Sequence, residues 1–328
     1  LITAIPANSK KLSILPEVSK PVNISVNQRQ LFISDSTVKV HIYSMKDFKY
    51  LKQISRKGEG PGECNNVPRF TLGPDYIFLY SLGKCLFFSR DGEYLREFKI
   101  PRRGTTFFTP VGENFIFDKV NFKKKKHSTE ASIYTYSKDK ELKEKKLIYC
   151  YERPLEVIWK GNKRPYRPIE DYCRFVVYDN KVFIGDTTRG LFVEIYDSNG
   201  NKISQVKLNS EKRRVPEQYK KEHVGKIKKS GKWELFQSMF YFDFPEYFPS
   251  FFHYFVDNGK VYFLTSEKKD GKRKVVVADW QGNLIKHTYV PWIDRGFNLH
   301  FSIENDKFYY ITDNEESEEW ELHVEEIK

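Results

Sequence analysis

The chain has 328 residues, with 56 Lys and Arg against 44 Asp and Glu, a formal net charge of +12. That length suits one large domain or two ordinary ones, no apolar run is long enough to cross a membrane as a helix, and the charge favours acidic partners without setting specificity. Four cysteines, none in a CxxC spacing, argue against a zinc ribbon or a thioredoxin-type site.

In chain order, the first stretch with strand character is Lys11–Leu15, with Leu1–Ile5 before it; neither belongs to a larger pattern. One phrase then recurs six times, beginning at Leu31, Tyr76, Asn114, Lys181, Lys260 and Lys307. Each is a short hydrophobic strand, a turn, a second strand and a polar hairpin into a third, with a further strand ahead of it. In the fourth, Arg174–Tyr178 reads as strand a, Lys181–Gly185 as b, Leu191–Tyr196 as c and 201–208 as d. Asp179-Asn180 and Asn199-Gly200 supply the positive φ of tight turns. Asp35, Ser81 and Asp186 stand before the second turn and are expected to cap it rather than to catalyse.

A repeat of about 40–50 residues predicts a closed ring. The fold expected is all-β: a six-bladed β-propeller of four-stranded antiparallel blades. The blades fall at 21–56, 68–100, 104–150, 173–208, 252–290 and 297–328. The sixth phrase stops at strand c, so residues 1–20 are expected to supply its outer strand and close the ring, leaving no edge exposed.

Two intervals are stretched. Residues 151–172 form a Pro/Arg/Tyr-rich insert, and 209–251 form a helical and aromatic insert between blades 4 and 5. In the latter, 215–229 is the best helix candidate, with Pro216 at its start and Gly231 beyond its end. The run 233–252 is too aromatic for solvent and is expected to fold over the ring, contact a partner or mediate self-assembly. Cys150 and Cys173 flank the first insert and are read either as a disulfide or as buried thiols.

Arg56–Glu63 (RKGEGPGE), the hairpins, the helical insert and the FPEYFPSFF run together resemble the bacterial six-bladed β-propeller proteins related to NHL repeats. Cys64 departs from the aromatic residue often found there. The resemblance implies the propeller fold and an extracytoplasmic location, periplasmic, cell-surface or secreted. The chain does not begin with Met, and a removed signal segment is the matching expectation. Fold does not carry function.

In a propeller the d–a and b–c connections share one face. Both inserts are d–a connections here, and the longest expected b–c loops, Lys119–Thr129 with its KKKKH and Ser266–Lys272, join them. That face gathers Arg56, Lys57, Arg102, Arg103, Lys123–Lys126, Arg153, Lys163, Arg164, Arg167, Arg189, Lys212–Arg214, Lys268, Lys269 and Lys272. Seven residues before each strand b lie Ile24, Arg69, Phe107, Arg174, His253 and His300, which should ring the mouth of the central channel. Such a ring suits a carboxylate, phosphate or sulfate.

The leading expectation is a non-catalytic binding module. Arg69, Arg174, His253, His300, Arg56 and Arg189 would bind an anionic glycan, acidic peptide or protein partner, with Trp159, Tyr166, Trp233 and Tyr247 as further contacts. One alternative is an NHL-like lyase or hydrolase with a metal at the channel mouth held by His253 and His300, His223 and His287 being weaker additions; no other cofactor is expected. Another is a structural or assembly subunit. Nucleic acid is disfavoured for want of a binding motif. No GxSxG, P-loop or GxGxxG motif occurs.

Overall fold

The computed structural model describes residues 10–27, 29–99, 105–123, 126–136, 142–153, 160–292, 300–314 and 317–328. Strand β1 (Lys10–Ile14) precedes blade 1, which is β2 (Pro21–Val26), β3 (Gln30–Asp35), β4 (Val40–Ser44) and β5 (Tyr50–Ile54). Blade 2 is β6 (Arg69–Leu72), β7 (Tyr76–Ser81), β8 (Lys84–Ser89) and β9 (Tyr94–Lys99). Blade 3 is β10 (Thr105–Val111), β11 (Asn114–Lys123), β12 (Lys126–Tyr136) and β13 (Leu142–Arg153). After β14 (Arg164–Tyr166), blade 4 is β15 (Cys173–Tyr178), β16 (Lys181–Asp186), β17 (Leu191–Tyr196) and β18 (Lys202–Leu208). Helices α1 (Glu217–Lys229) and α2 (Trp233–Met239) and strand β19 (Phe240–Phe242) follow. Blade 5 is β20 (His253–Asp257), β21 (Lys260–Lys269), β22 (Lys272–Asp279) and β23 (Leu284–Pro291). Blade 6 is β24 (Phe301–Glu304), β25 (Lys307–Asn314) and β26 (Glu319–Glu326), completed by β1.

Closure is as expected: β1 lies antiparallel on β26, with Lys10 opposite Val324. The seam is fastened beyond the ladder. The Leu15 amide donates to the Trp320 carbonyl at 2.8 Å, the Trp320 indole donates to the Ser19 carbonyl at 2.7 Å, and Lys11 pairs with Glu321.

The core is divided among the blade interfaces. Each of six buried apolar clusters in the described residues spans one pair of adjacent blades. In β21, Val261 and Phe263 face blade 4 while Tyr262 and Leu264 face blade 6. Strands b and c are therefore buried on both faces and read as continuous apolar runs, whereas the outer d strands alternate with solvent. The interface of blades 2 and 3 is built of rings, with Phe108 stacked on Phe115 at 4.8 Å and Phe78 edge-on to Phe87.

The d–a crossings bond to b–c turns, which places both on one face, called upper here. The RKGEGPGE crossing wraps an ammonium group. Lys84, only 8% exposed, donates to the carbonyls of Gly60 at 2.6 Å, Glu63 at 3.0 Å and Glu59 at 3.3 Å, and pairs with Glu97. Glu63 folds back to accept from the Gly60 amide and from Arg56. A Cβ on Gly58 would fall 2.1 Å from the Glu63 carboxylate, so a larger residue there would push the Glu63 side chain out of this turn.

Asp35 and Asp186 cap their turns as expected, accepting from the Thr37 and Thr188 amides. Burial alone would raise the Asp35 carboxyl, but His41, Thr37 and the Ser19 amide outweigh it and hold it at about 2. Ser81 departs from expectation. It exchanges hydrogen bonds with the Asn66 backbone and so fastens the crossing rather than its own turn. Cys150, exposed on the outer strand of blade 3, and Cys173, on the inner strand of blade 4, are not joined by a disulfide.

At the lower face, Asp257 accepts from the Asn305 amide at 2.7 Å and from the Tyr178 hydroxyl at 3.2 Å. Glu304 shares this site. Burial and the Asp257 carboxylate push its carboxyl up to about 8.

Two expectations follow. Because the Glu304 carboxyl is raised when folded, its contribution is fully present near pH 4.5 and is lost as pH climbs through about 8. The parent's melting temperature should fall over that window. That of Glu304→Gln should fall less, so the variant leads at pH 8 and the lead shrinks toward pH 5. For Lys84→Met, stranding three carbonyls and Glu97 should cost about 2–4 kcal/mol in urea unfolding, against under 1 for Lys49→Met on the surface.

Candidate functional site

The upper mouth of the channel is set by strand register. Arg69 stands opposite Tyr80, Arg174 opposite Gly185 and His253 opposite Leu264, while the Ile311 amide donates to the His300 carbonyl; these positions are equivalent on successive blades. Blade 1 departs from expectation: there the equivalent residue is Asn23, opposite Ser34, because the ladder bulges between Pro21 and Asn23, and Ile24, opposite Ile33, packs one residue deeper toward blade 6. On blade 3 the ladder bulges between Thr105 and Phe108, so Phe107 falls in the bulge and Asp118 lies across from it; the Phe107 side chain is outside the described residues.

Side-chain parity along β15 then decides who meets whom. Tyr172, Val176 and Tyr178 pack toward blade 5, and Phe175 and Val177 toward blade 3. Arg174 shares the parity of Tyr172 and reaches blade 5, where its Nη1 donates to Nε2 of His253 at 3.0 Å. Burial, and then the charge of Arg174, hold the His253 imidazole well below its ordinary value, so it is neutral. Burial likewise lowers the Arg174 guanidinium, with Tyr172, Tyr254 and Asp118 acting in the opposite sense. Burial and the positive charge of Arg174 lower Arg69, and Asp118 counters them. Arg69, Asp118 and Arg174 thus form one electrostatic group from three blades.

The backbone beneath is firm. Gly185 leaves room for the Tyr254 ring, since a Cβ there would lie 2.5 Å from Cε1. The Tyr254 hydroxyl reaches the carbonyls of Phe183 at 2.8 Å and Arg174 at 2.9 Å. Next to the mouth, Tyr172 and Thr187 are tied by two backbone-anchored bonds, the Tyr172 amide donating to Thr187 Oγ1 and the Thr187 amide to the Tyr172 carbonyl.

His300 stands next round the ring from His253, ahead of β24, with Trp320 at 6.2 Å between ring centroids. As a metal site this pair is poorly supplied. Nε2 of His253 is engaged by a guanidinium, whose charge opposes a cation, and the described residues hold no group of three or more His, Cys, Asp or Glu able to grip one.

Beside the mouth the two inserts join. Strand β14 pairs parallel with β19, Arg164 opposite Phe240 and Tyr166 opposite Phe242. Arg167 pairs with Asp243 at 2.6 Å, and the Asp243 amide donates to the Tyr166 carbonyl. Helix α1 begins after Pro216 and ends before Gly231, as its sequence suggests; α2 was hidden within the aromatic run. The result is a cap whose rings pack on one another. Phe236 stands stacked with Trp233, edge-on to Tyr166 and 4.7 Å from Phe242. Cations lie over its rings: Lys160 over Tyr241, Arg164 over Phe240, Lys228 over Trp233, and Lys212 and Arg214 over Tyr247. Neither helix has a fully buried residue, and Leu235 is 62% exposed. The cap is held to the ring where Ser250 donates to the Thr187 carbonyl and Arg213 to the Ser266 carbonyl.

The other expected residues divide. Tyr166 and Trp233 meet through Phe236, while Tyr247 sits apart between Lys212 and Arg214. Arg56 is paired with Glu63 within the crossing between blades 1 and 2. Arg189 lies over Phe192 and pairs with Glu194 beside a groove of about 410 Å³ between blades 3 and 4. Trp159, Arg102 and Arg103 lie outside the described residues, as do the side chains of Lys123, Lys126 and Arg153. The two expected b–c loops are extensions of hairpin ladders: Lys123 pairs with Lys126, and Lys269 with Lys272. Three contributors were missed. Asp118 is embedded in a strand, Tyr172 precedes one, and Arg273, 4% exposed, is held between Phe252 and Trp292. In Arg273 only the adjacent aromatic-rich segments offered a signal.

Among solved structures, the chain is similar to Hsv2 of Kluyveromyces lactis at 11% identity, covering 94% of this chain and 99% of that one with a TM-score of 0.40. It is similar to the computationally designed Ika8 protein at 8% identity, covering 95% and 98% with a TM-score of 0.39. It is also similar to BamB from Moraxella catarrhalis at 6% identity, covering 92% and 85% with a TM-score of 0.36. No curated protein matches. The ring of blades described above is matched as a family over residues 16–320, and the chain belongs to the DUF5128 family of 6-bladed beta-propellers.

Proposed function

We propose that the protein is a non-catalytic binding module whose upper face engages an anionic partner: an acidic glycan, an acidic peptide or an acidic protein surface. The observation that carries this reading is the cap. Two inserts far apart in sequence pair into one unit, and its cations lie over its own aromatic rings without burying either helix. Cations held over rings beside apolar surface suit sugar faces and flexible acidic chains. Arg69 and Arg174 at the mouth extend the same field inward. An extracytoplasmic location accords with such a role and is proposed with it. Catalysis through a metal at His253 and His300 is not proposed, because the donor set there does not suit one.

Titrating a polyuronate and poly-glutamate at rising salt tests the reading. Binding should weaken as salt rises from 50 to about 300 mM. Arg164→Gln and Lys228→Gln should each weaken it about two- to five-fold, and Trp233→Ala by more. No binding, or binding indifferent to salt, removes the proposal.

A second reading, self-assembly through residues 233–252, is favoured by the exposure of Leu235 and of Met239, at 39%, on α2. Light scattering should then show an assembly that Leu235→Glu reduces to monomers; a monomeric parent at high concentration rules it out.

A further inference from the structure

We propose that the groove between blades 4 and 5, at the root of the cap, binds a single-chain amphiphile: a slender apolar body ending in an anionic head group. This is a site separate from the aromatic cap, with a ligand class of its own.

The groove follows from how these two blades are joined. The RKGEGPGE crossing closes down on its blades around Lys84. The chain leaving blade 4 after Leu208 instead runs out into the cap and rejoins the ring only at His253. A cavity of about 740 Å³ remains at its root, within the range that holds a small organic ligand. The core of the blade 4–5 interface reaches the floor of this cavity through Leu191, Leu208 and Val276. Phe248 from the cap and Leu284 from β23 add apolar surface, and Leu284 is 57% exposed. The walls are fixed by backbone bonds. The Phe248 amide donates to the Arg213 carbonyl at 2.9 Å, and the Phe252 amide to the Leu264 carbonyl at 2.7 Å.

Charge selects the head group. Glu267 lines the same cavity, but it accepts from the Tyr289 hydroxyl and pairs with Lys274 at 3.0 Å. The Tyr289 bond, joined by Lys274 and opposed by burial, holds this carboxyl below its usual range. That carboxylate is committed and offers nothing to a cation. Arg213 lines the cavity too. Its Nη1 donates to the Ser266 carbonyl at 2.8 Å, and it forms no ion pair among the described residues. One fork of the guanidinium is thus anchored to blade 5 while its other donors stay open to an anion. Lys212 beside it adds to the field, and the exposed Glu211 is the one acid opposing it.

Calorimetry on the whole chain, at fixed ionic strength and below micelle-forming concentrations, tests the site with octanoate, octyl phosphate, 1-octanol, octylammonium and butanoate. Octanoate should bind about three-fold or more tightly than octanol, and octylammonium more weakly than either. Butanoate, four methylenes shorter, should bind about ten-fold or more weakly than octanoate. A tighter octanoate than octyl phosphate points to a free acid and the reverse to a phospholipid-derived head; both support the site. Arg213→Gln should bring octanoate down to the affinity of octanol. Glu211→Gln should strengthen octanoate about two-fold. Leu284→Ser and Ser210→Trp, both at exposed lining positions, should weaken every eight-carbon ligand about three-fold or more. If Arg213→Gln does not fold, Glu211→Gln and Ser210→Trp carry the test. No octanoate binding, octylammonium as tight as octanoate, or octanoate unmoved in both Leu284→Ser and Ser210→Trp overturns the proposal. Arg164→Gln and Lys228→Gln should weaken polyuronate and leave octanoate unchanged. If they weaken both alike, the amphiphile sits on the cap and this site falls. If the parent binds octanoate but no polyuronate, the groove stands and the cap reading falls.

Discussion

A four-stranded blade in this chain has two apolar faces and no means of covering either. Every b and c strand sends alternate side chains left and right, and each set is buried only by the next blade round. The architecture therefore has one self-consistent solution, a ring in which each of the six interfaces has its own small core. Leave one interface open and two faces of Tyr, Phe, Val and Ile meet water. At about 25 cal/mol per Å² of apolar surface, that exposure exceeds the margin by which domains are stable. The β1–β26 seam is what closes the last interface.

Rigidity on the upper face follows from how the blades are joined. Each crossing could have been a slack surface loop. Instead, Lys84 gathers the carbonyls of one crossing, Ser81 fastens it again at Asn66, and Thr187 binds the crossings on both sides of blade 4. The mouth inherits this firmness. Groups from blades 2, 3, 4 and 5 can be set against one another only because the backbones carrying them do not slide. The cap is the contrast: its rings support one another, yet no side chain in its helices is wholly withdrawn from solvent.

The ring, its closure and the sharing of one face by the inserts were legible in the sequence, because burial on both faces writes apolar runs that recur with the blades. Helix α1 was legible from Pro216 and Gly231. The extended hairpins were not, since the short alternation of Val120 and Phe122 runs straight into the KKKKH stretch and reads as a loop. Ring membership at Arg69, Arg174, His253 and His300 was readable from register, but the Arg174–His253 contact was not, because it turns on strand parity. Asp118 was invisible for a related reason. It stands on strand b of blade 3 at the position that Tyr80 holds in blade 2 and Gly185 in blade 4, and nothing in NFIFDKV marks which face it turns to. Arg56 illustrates the converse: its charge was legible, its commitment to Glu63 was not.

The seam between β1 and β26 has a consequence for how the molecule is reached as well as how it is held. The Lys11–Glu321 contact joins residues 310 apart in the chain, while nearly every other ladder joins neighbours. Local hairpins form early and in any order, but loop-closure entropy delays the one contact that completes blade 6. Until it forms, β26 presents an unpaired outer edge, and the blade 6–blade 1 interface stands open. Aggregation of a folding intermediate and correct closure are thus in kinetic competition at a single place, and the indole of Trp320, reaching back to Ser19, lies where that competition is decided.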